Sequence, residues 1–154
     1  FGKTYHCTGW KIGYAIAPLA LSAEFRKVHQ YNVFCTFAPA QHAFAAMIRQ
    51  EPGHYEQLGA FYQEKRDRFR EQLLGTKFKP LPVPGGYFQL VDYSAVSDLP
   101  DAEFVKWLTI EHGVTAIPLS PFYEAAPAGQ RLARLCFAKN EATLDAAIER
   151  LKKL

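Results

Sequence analysis

Three basic side chains lie where a lysine or an arginine could do chemistry: Lys3 and Lys11 in FGKTYHCTGWKIGY, and Arg134 in RLARLCFA. A lysine amine becomes a nucleophile, or forms a Schiff base, when burial or another cation depresses its pKa. An arginine guanidinium can bind a carboxylate through two parallel hydrogen bonds, which a lysine cannot copy. The Gly-Lys pair at 2–3 lacks the preceding glycine-rich run of a phosphate loop. By itself, Lys3 is therefore weak evidence for a Schiff-base or phosphate-binding site.

The setting of Lys11 depends on the segment that carries it. Residues 9–18 are predicted to form a short buried strand, because apolar residues alternate along it. In such a strand Lys11 shares a face with three small residues, Gly13, Ala15 and Ala17. A ligand could occupy the space beside them. The alternative is a lysine at a strand edge that reaches solvent past its small neighbours.

Arg134 is predicted to lie in a strand, where alternation places it on one face with Leu132 and Cys136. A cation with two apolar neighbours on its own face is costly unless it meets an anion. That anion could be a bound carboxylate. It could also be a local Asp or Glu in an internal salt bridge.

The first half of the chain is predicted to be mostly helical. Ser22 is expected to cap a helix that continues to about residue 34. Pro39 is expected in the first turn of a second helix, and a long amphipathic helix is predicted over 54–74.

The second half is predicted to follow the order β-β-α-β-β-α. Extended runs at 77–83 and 86–93 flank a Pro-Gly-Gly turn. Asp98 and Asp101 are expected to open a helix that continues to His112 and is closed by Gly113. Two further strands, VTAIP and RLARLCFA, precede a final helix capped by Asn140. The expected fold is α/β: the end of one α/β layer, followed by a small α+β domain.

The composition is that of an ordinary globular protein, with 49% hydrophobic residues and a net charge of +3 over 154 residues. Basic residues form no stripe, so we expect no nucleic-acid binding. Cys7, Cys35 and Cys136 lie far apart, and the five histidines show no metal-ligand spacing, which predicts neither a disulfide scaffold nor a metal site. The longest stretch without charged residues, 28–48, contains a proline and several polar residues. We therefore expect no membrane span and a cytoplasmic location.

The motif FGKTYHCTGWKIGY resembles the cofactor-lysine segment of the fold-type I, pyridoxal-phosphate-dependent aminotransferases of class I/II. In both, a lysine follows a small residue, a cation comes eight positions later, and Gly-Tyr follows that cation. PGGYF, GVTAIPLSPFY and RLARLCFAKN match in the same order, so the resemblance covers essentially the whole chain. It is strongest to the group of methionine, kynurenine and glutamine–phenylpyruvate transaminases.

The resemblance implies a role for each of several residues. Lys3 would bind pyridoxal 5'-phosphate as a Schiff base and carry the proton during the reaction. Lys11 would contact the cofactor phosphate, where many relatives have arginine. Arg134 would bind the substrate α-carboxylate, and Tyr87 with the Gly85-Gly86 turn would lie near the substrate entrance. The substrates would be an L-amino acid and a 2-oxo acid.

The resemblance also implies a domain division and a longer parent protein. Residues 1–53 would end the large cofactor-binding domain, 54–76 would form an interdomain helix, and 77–154 would form the small C-terminal domain. The family fold is much longer than 154 residues. We therefore expect a C-terminal fragment, inactive by itself, of a protein that forms a homodimer.

Three other interpretations stay open. The same lysine serves carbon–sulfur lyases of this fold. An aminotransferase-like domain is also the sensory half of some bacterial transcription regulators, which bind the cofactor and control DNA through a winged helix. Finally, the chain could be an α+β domain whose cations only make salt bridges.

Overall fold

The computed structural model describes all residues, 1–154, and divides them into two compact units, Phe1–Gly59 and Ala60–Leu154. The division falls inside one long helix, α3 (Pro52–Leu73). The predicted three-part division at residues 53 and 76 stays a prediction. None of the five helices is both long and apolar enough to cross a membrane.

The first unit is helical. It contains α1 (Leu19–Asn32), α2 (Ala38–Gln50) and the start of α3 (Pro52–Leu73). The second helix has a proline in its first turn, as predicted, because the missing N–H of proline is not needed there. A small core forms around Ile12, Ala40 and Phe44.

The predicted strand over 9–18 is wrong. Residues Thr8–Trp10 form one turn of 3-10 helix, and residues 11–18 have no regular secondary structure. A strand needs a neighbouring strand to accept and donate its backbone hydrogen bonds. The first unit contains none, so the alternating pattern has nothing to pair with, and Ile16 is 89% exposed. The inferred face of small residues around Lys11 therefore does not exist.

The predicted cap at Ser22 is also wrong, because α1 begins one turn earlier. Pro18 is the N-cap residue, and the Ser22 backbone N–H donates to its carbonyl at 2.9 Å. The Ser22 hydroxyl donates to the Ala17 carbonyl at 3.0 Å. Ser22 thus lies inside the first turn, and no residue of α1 is buried.

The second unit is built on a four-stranded antiparallel sheet in the order β1-β2-β4-β3. The strands are β1 (Lys79–Pro80), β2 (Phe88–Asp92), β3 (Ile117–Pro118) and β4 (Leu132–Cys136). The register pairs Leu90 of β2 and Ile117 of β3 with Arg134 of β4. Arg134 therefore lies on a strand that has a neighbour on each side.

One face of this sheet is buried and the other is only half-buried. Val91, Ala133 and Leu135 lie on the buried face and contact a core formed with α3, α4 (Asp101–His112) and α5 (Glu141–Leu151). Gln89 is the polar residue of that face, and its amide nitrogen donates to the carbonyls of Leu81 and Leu90. The predicted alternation in β4 is confirmed, and it places Arg134 on the half-buried face.

The predicted C-terminal end of α4 and the predicted N-terminal cap of α5 are confirmed. Gly113 ends α4 with φ 64°, the left-handed conformation that favours glycine. The Asn140 side chain accepts a hydrogen bond from the Thr143 backbone at 2.8 Å, so it caps α5.

Candidate functional site

Lys3 lies on a tight turn at the start of the first unit. The Cys7 backbone N–H donates to the Gly2 carbonyl at 2.9 Å, which closes the turn around the lysine. A Cβ at Gly2 would lie 3.1 Å from Thr8 Cα, so the turn leaves little room for any other residue there. The Lys3 side chain is exposed and takes part in none of the ion pairs of the chain. Its amine is thus held on a compact turn with no carboxylate to occupy it.

A histidine of α3 connects to this turn across a long sequence separation. His54 Nε2 lies 2.7 Å from the Thr4 carbonyl oxygen, and its ring stacks on Tyr5 with 5.2 Å between centroids. The His6 ring meets His54 edge-on at 5.5 Å, and His6 itself has φ 57°. The residues that follow Lys3 are therefore anchored to the first turn of α3.

Lys11 ends the short 3-10 helix in the left-handed conformation, with φ 53° and ψ 41°. Few residues other than glycine, asparagine and aspartate adopt this conformation without cost. The side chain of Lys11 is exposed and makes no ion pair. Its ammonium can therefore bind an anion, although the predicted strand over 9–18 that made Lys11 a candidate is absent.

Arg134 contacts aromatic rings and no carboxylate. Its guanidinium carbon lies 4.2 Å from the centroid of the Phe88 ring and 5.1 Å from that of Phe122. It takes part in no ion pair, so the internal salt bridge that the sequence left open is excluded. Its Nε atom is buried and has no hydrogen-bond partner. A buried donor without a partner is costly, and a bound carboxylate is the group that a guanidinium fits best.

Tyr87 lies immediately before β2, after Gly86, which has φ 79°. The ring of Tyr87 is half-buried and packs against Tyr62, with 5.7 Å between centroids, and against Phe88 at 4.6 Å. Burial raises the pKa of Tyr62, and the neighbouring phenol of Tyr87 raises it further. At neutral pH Tyr62 is therefore neutral.

The predicted site residues fall into two groups. Lys3 and Lys11 belong to the first unit, whereas Tyr87 and Arg134 belong to the second. Sequence reasoning missed Phe88 and Phe122 as neighbours of Arg134. Both occur in the matched motifs PGGYF and GVTAIPLSPFY, but nothing in their spacing indicates a contact with an arginine.

Beside α5 the second unit also has a cavity of about 570 Å³, whose lining includes Leu135, Lys139 and Arg150. Neither Arg134 nor Tyr87 lines it. No group of three or more His, Cys, Asp or Glu side chains is placed to hold a metal ion.

Two solved structures that superpose on this chain are described as aminotransferases. The crystal structure of YbdL from Escherichia coli, for which a methionine aminotransferase function is identified, superposes with a TM-score of 0.92 and 58% identity. N-succinyldiaminopimelate aminotransferase from Mycobacterium tuberculosis superposes with a TM-score of 0.89 and 35% identity. These matches cover 100% and 99% of this chain and 40% of each solved chain.

Sequence comparisons agree. The model of the family described as aminotransferase class I and II matches residues 1–151, and the chain belongs to that family. The methionine aminotransferase of Escherichia coli K12 is 58% identical over 154 residues, which is 100% of this chain. Kynurenine–oxoglutarate transaminase 3 of Rattus norvegicus is 37% identical over 166 residues, which covers 96% of this chain. The chain spans 40% and 37% of the length of these two relatives.

Proposed function

We propose that the protein to which this chain belongs is a pyridoxal-phosphate-dependent aminotransferase. It would transfer the amino group of an L-amino acid with a methionine-like, aromatic or kynurenine-like side chain to a 2-oxo acid. The family match supports the reaction class, and the names of the relatives support the kind of amino acid. The observation that carries the proposal is Arg134, a guanidinium with a buried donor, no partner carboxylate and two aromatic neighbours.

The residues present fit the cofactor. Lys3 offers an amine on a rigid turn, and Lys11 offers a cation with no anion of the protein beside it. When bound, pyridoxal phosphate supplies the electron sink for the reaction. Lys3 would hold the cofactor covalently and move a proton to and from the substrate α-carbon. Lys11 would bind the phosphate.

Arg134 would hold the substrate by its α-carboxylate and so orient the α-carbon. The planar guanidinium can make two parallel hydrogen bonds to a carboxylate, and each is charge-assisted. Tyr87 would lie near the entrance for the substrate.

The KM values of the Arg134→Lys variant of the full-length protein test this proposal. The lysine keeps the charge but loses the planar fork, and a hydrogen bond to a charged group contributes about 1.5–3 kcal/mol. We therefore expect the KM for both the amino acid and the 2-oxo acid to rise about tenfold to a hundredfold. The affinity for pyridoxal phosphate should not change. Arg26→Lys, at an exposed arginine of α1 that makes no ion pair, is the matched control.

A KM that is unchanged in Arg134→Lys would remove Arg134 from the substrate site. A product assay separates the remaining reaction classes. A 2-oxo acid that forms only when an amino acceptor is present supports transamination, whereas formation without an acceptor indicates a lyase.

We also propose, from the family resemblance, that the 154-residue chain alone has no transaminase activity. The full-length protein would be a cytoplasmic homodimer. Turnover by the purified chain with pyridoxal phosphate, an amino donor and a 2-oxo acid would contradict the first point. Light scattering of the full-length protein tests the dimer.

A further inference from the structure

Asp101 is a buried carboxylate that connects two separate segments of the second unit. It is the first residue of α4 and is only 8% exposed. Its Oδ1 accepts a hydrogen bond from the Ala102 backbone at 2.9 Å. Its Oδ2 accepts two more, from the backbone N–H of Leu119 at 2.7 Å and of Ser120 at 2.6 Å. One carboxylate therefore holds the start of α4 against the segment that follows β3.

The charge of Asp101 is stabilised where it lies. Burial opposes ionisation, but the hydrogen bonds from Ser120, Leu119 and Ala102 outweigh it and lower the pKa of the Asp101 carboxyl. Its position in the first turn of α4 is also favourable for an anion, because the helix dipole is positive there. The carboxylate is thus ionised and available as a fixed anchor at neutral pH.

The anchored segment carries Phe122 to Arg134. Ile117 pairs with Arg134 across β3 and β4, and residues 119–122 follow directly. Of all side chains, only Asp101 hydrogen-bonds to the backbone of this segment. Within this segment, the Phe122 backbone N–H donates to the Leu119 carbonyl at 3.0 Å and closes a turn of 3-10 helix.

Phe122 lies outside the hydrophobic core of the second unit. It is 62% exposed, yet its ring centroid lies 5.1 Å from the guanidinium carbon of Arg134. An arginine side chain has several rotatable bonds, and its guanidinium must be held still to bind a carboxylate in one orientation. A ring placed over the guanidinium restricts that freedom and adds a cation–π attraction.

We propose that Asp101 is a positioning residue for substrate recognition: it anchors residues 119–122 so that Phe122 lies over Arg134 and fixes the guanidinium for the substrate carboxylate. This inference rests on the proposed role of Arg134 in binding that carboxylate. Phe88, the other ring beside Arg134, is held by the hydrogen bonds of β2 and does not depend on Asp101.

The test uses the full-length holoenzyme with Phe122→Leu, Asp101→Asn and the double variant. Phe61→Leu is the matched control, because Phe61 is a similarly exposed ring, 47%, with a lysine ammonium 5.2 Å from its centroid. The measurements are kcat and KM for the amino acid, the dissociation constant of 3-phenylpropionate as an unreactive carboxylate, and the affinity for pyridoxal phosphate.

Both single variants should weaken 3-phenylpropionate binding and raise KM about threefold to tenfold, as expected for the loss of a cation–π contact and its orientation. The affinity for pyridoxal phosphate should stay unchanged, and Phe61→Leu should behave as wild type. In the double variant the two effects should not add, because both act through the same ring.

Unchanged carboxylate binding in Phe122→Leu would overturn the proposal, and this variant decides the question even if Asp101→Asn does not fold. Fully additive effects in the double variant would also overturn it, because Asp101 would then act by another route. Failure of the proposed function gives a different pattern, in which Arg134→Lys itself leaves carboxylate binding unchanged.

Discussion

Tyr93 makes a sharp test of how the second unit is held together. The residue is buried, its ring stacks on Phe104 with 3.7 Å between centroids, and its hydroxyl donates to the Leu99 carbonyl at 2.9 Å. Tyr93→Phe keeps the ring and removes only this hydrogen bond. The net contribution of such a bond is about 0.5–1.5 kcal/mol, and water can still reach the half-buried Leu99. We expect the free energy of unfolding to fall by about 1 kcal/mol.

The assay is urea denaturation of the 154-residue chain, followed by the fluorescence of Trp107 in a Trp10→Phe background. With a urea dependence of about 2 kcal/mol per molar, the midpoint should fall by about 0.5 M. Tyr31→Phe, at a highly exposed tyrosine of α1, is the control and should leave the midpoint unchanged. If Tyr93→Phe matched that control, the hydrogen bond would contribute nothing, and the reasoning would be refuted.

The stabilities of the parent chain and of Tyr93→Phe should also depend differently on pH. Burial raises the pKa of Tyr93 to about 12, above the usual value of 10.0. Because the folded pKa is the higher one, the contribution of Tyr93 to stability is complete below pH 10 and is lost as the pH rises from 10 towards 12. Tyr93→Phe has no phenol to ionise, so the stability advantage of the parent should shrink over that range and then reverse. A constant difference would contradict the raised pKa.

Three further predictions concern single residues. Asn140→Ala should destabilise the chain by about 1 kcal/mol in urea denaturation, because it removes the cap of α5; an unchanged midpoint would show that the cap is dispensable. Gly113→Ala should cost about 1–2 kcal/mol, because its φ of 64° is unfavourable for alanine; the new Cβ, 2.5 Å from Arg150 Nη1, would also make that side chain move. Gly59→Ala, inside α3 with open space around the new Cβ, should instead stabilise, and equal effects at the two glycines would contradict this reasoning. Lys11→Gln in the full-length protein should weaken pyridoxal phosphate binding about tenfold in a spectral titration while Lys11→Arg retains it; equal affinities in the two variants would remove Lys11 from the phosphate site.

The sequence predicts the second unit well because its signals are local. Gly113 ends α4 and Asn140 caps α5 through contacts with near neighbours in the chain, which fixed spacing can reveal. The alternation in β4 is confirmed because one face of that strand contacts a core and the other does not. Because successive side chains of a strand point to opposite faces, the residues of the buried face recur at every second position in the sequence.

The Ser22 cap failed locally, because α1 already begins after Pro18, but the other failures come from partners that are distant in sequence. The alternation over 9–18 indicates a strand only if another strand lies beside it, and the sequence of the segment carries no information about that neighbour. The aromatic environment of Arg134 depends on register across three strands and on a loop anchored by Asp101. Spacing alone could identify an unusual arginine, but it could not say whether the guanidinium meets a carboxylate or a ring.

Lys3 is the residue proposed to hold the cofactor, and mapping of the covalent attachment site tests this role. The full-length protein is loaded with pyridoxal phosphate, reduced with borohydride to make the attachment permanent, digested and mapped by mass spectrometry. We expect the label on Lys3, and no label in Lys3→Ala. A label on another lysine, or no label in the parent protein, would contradict it.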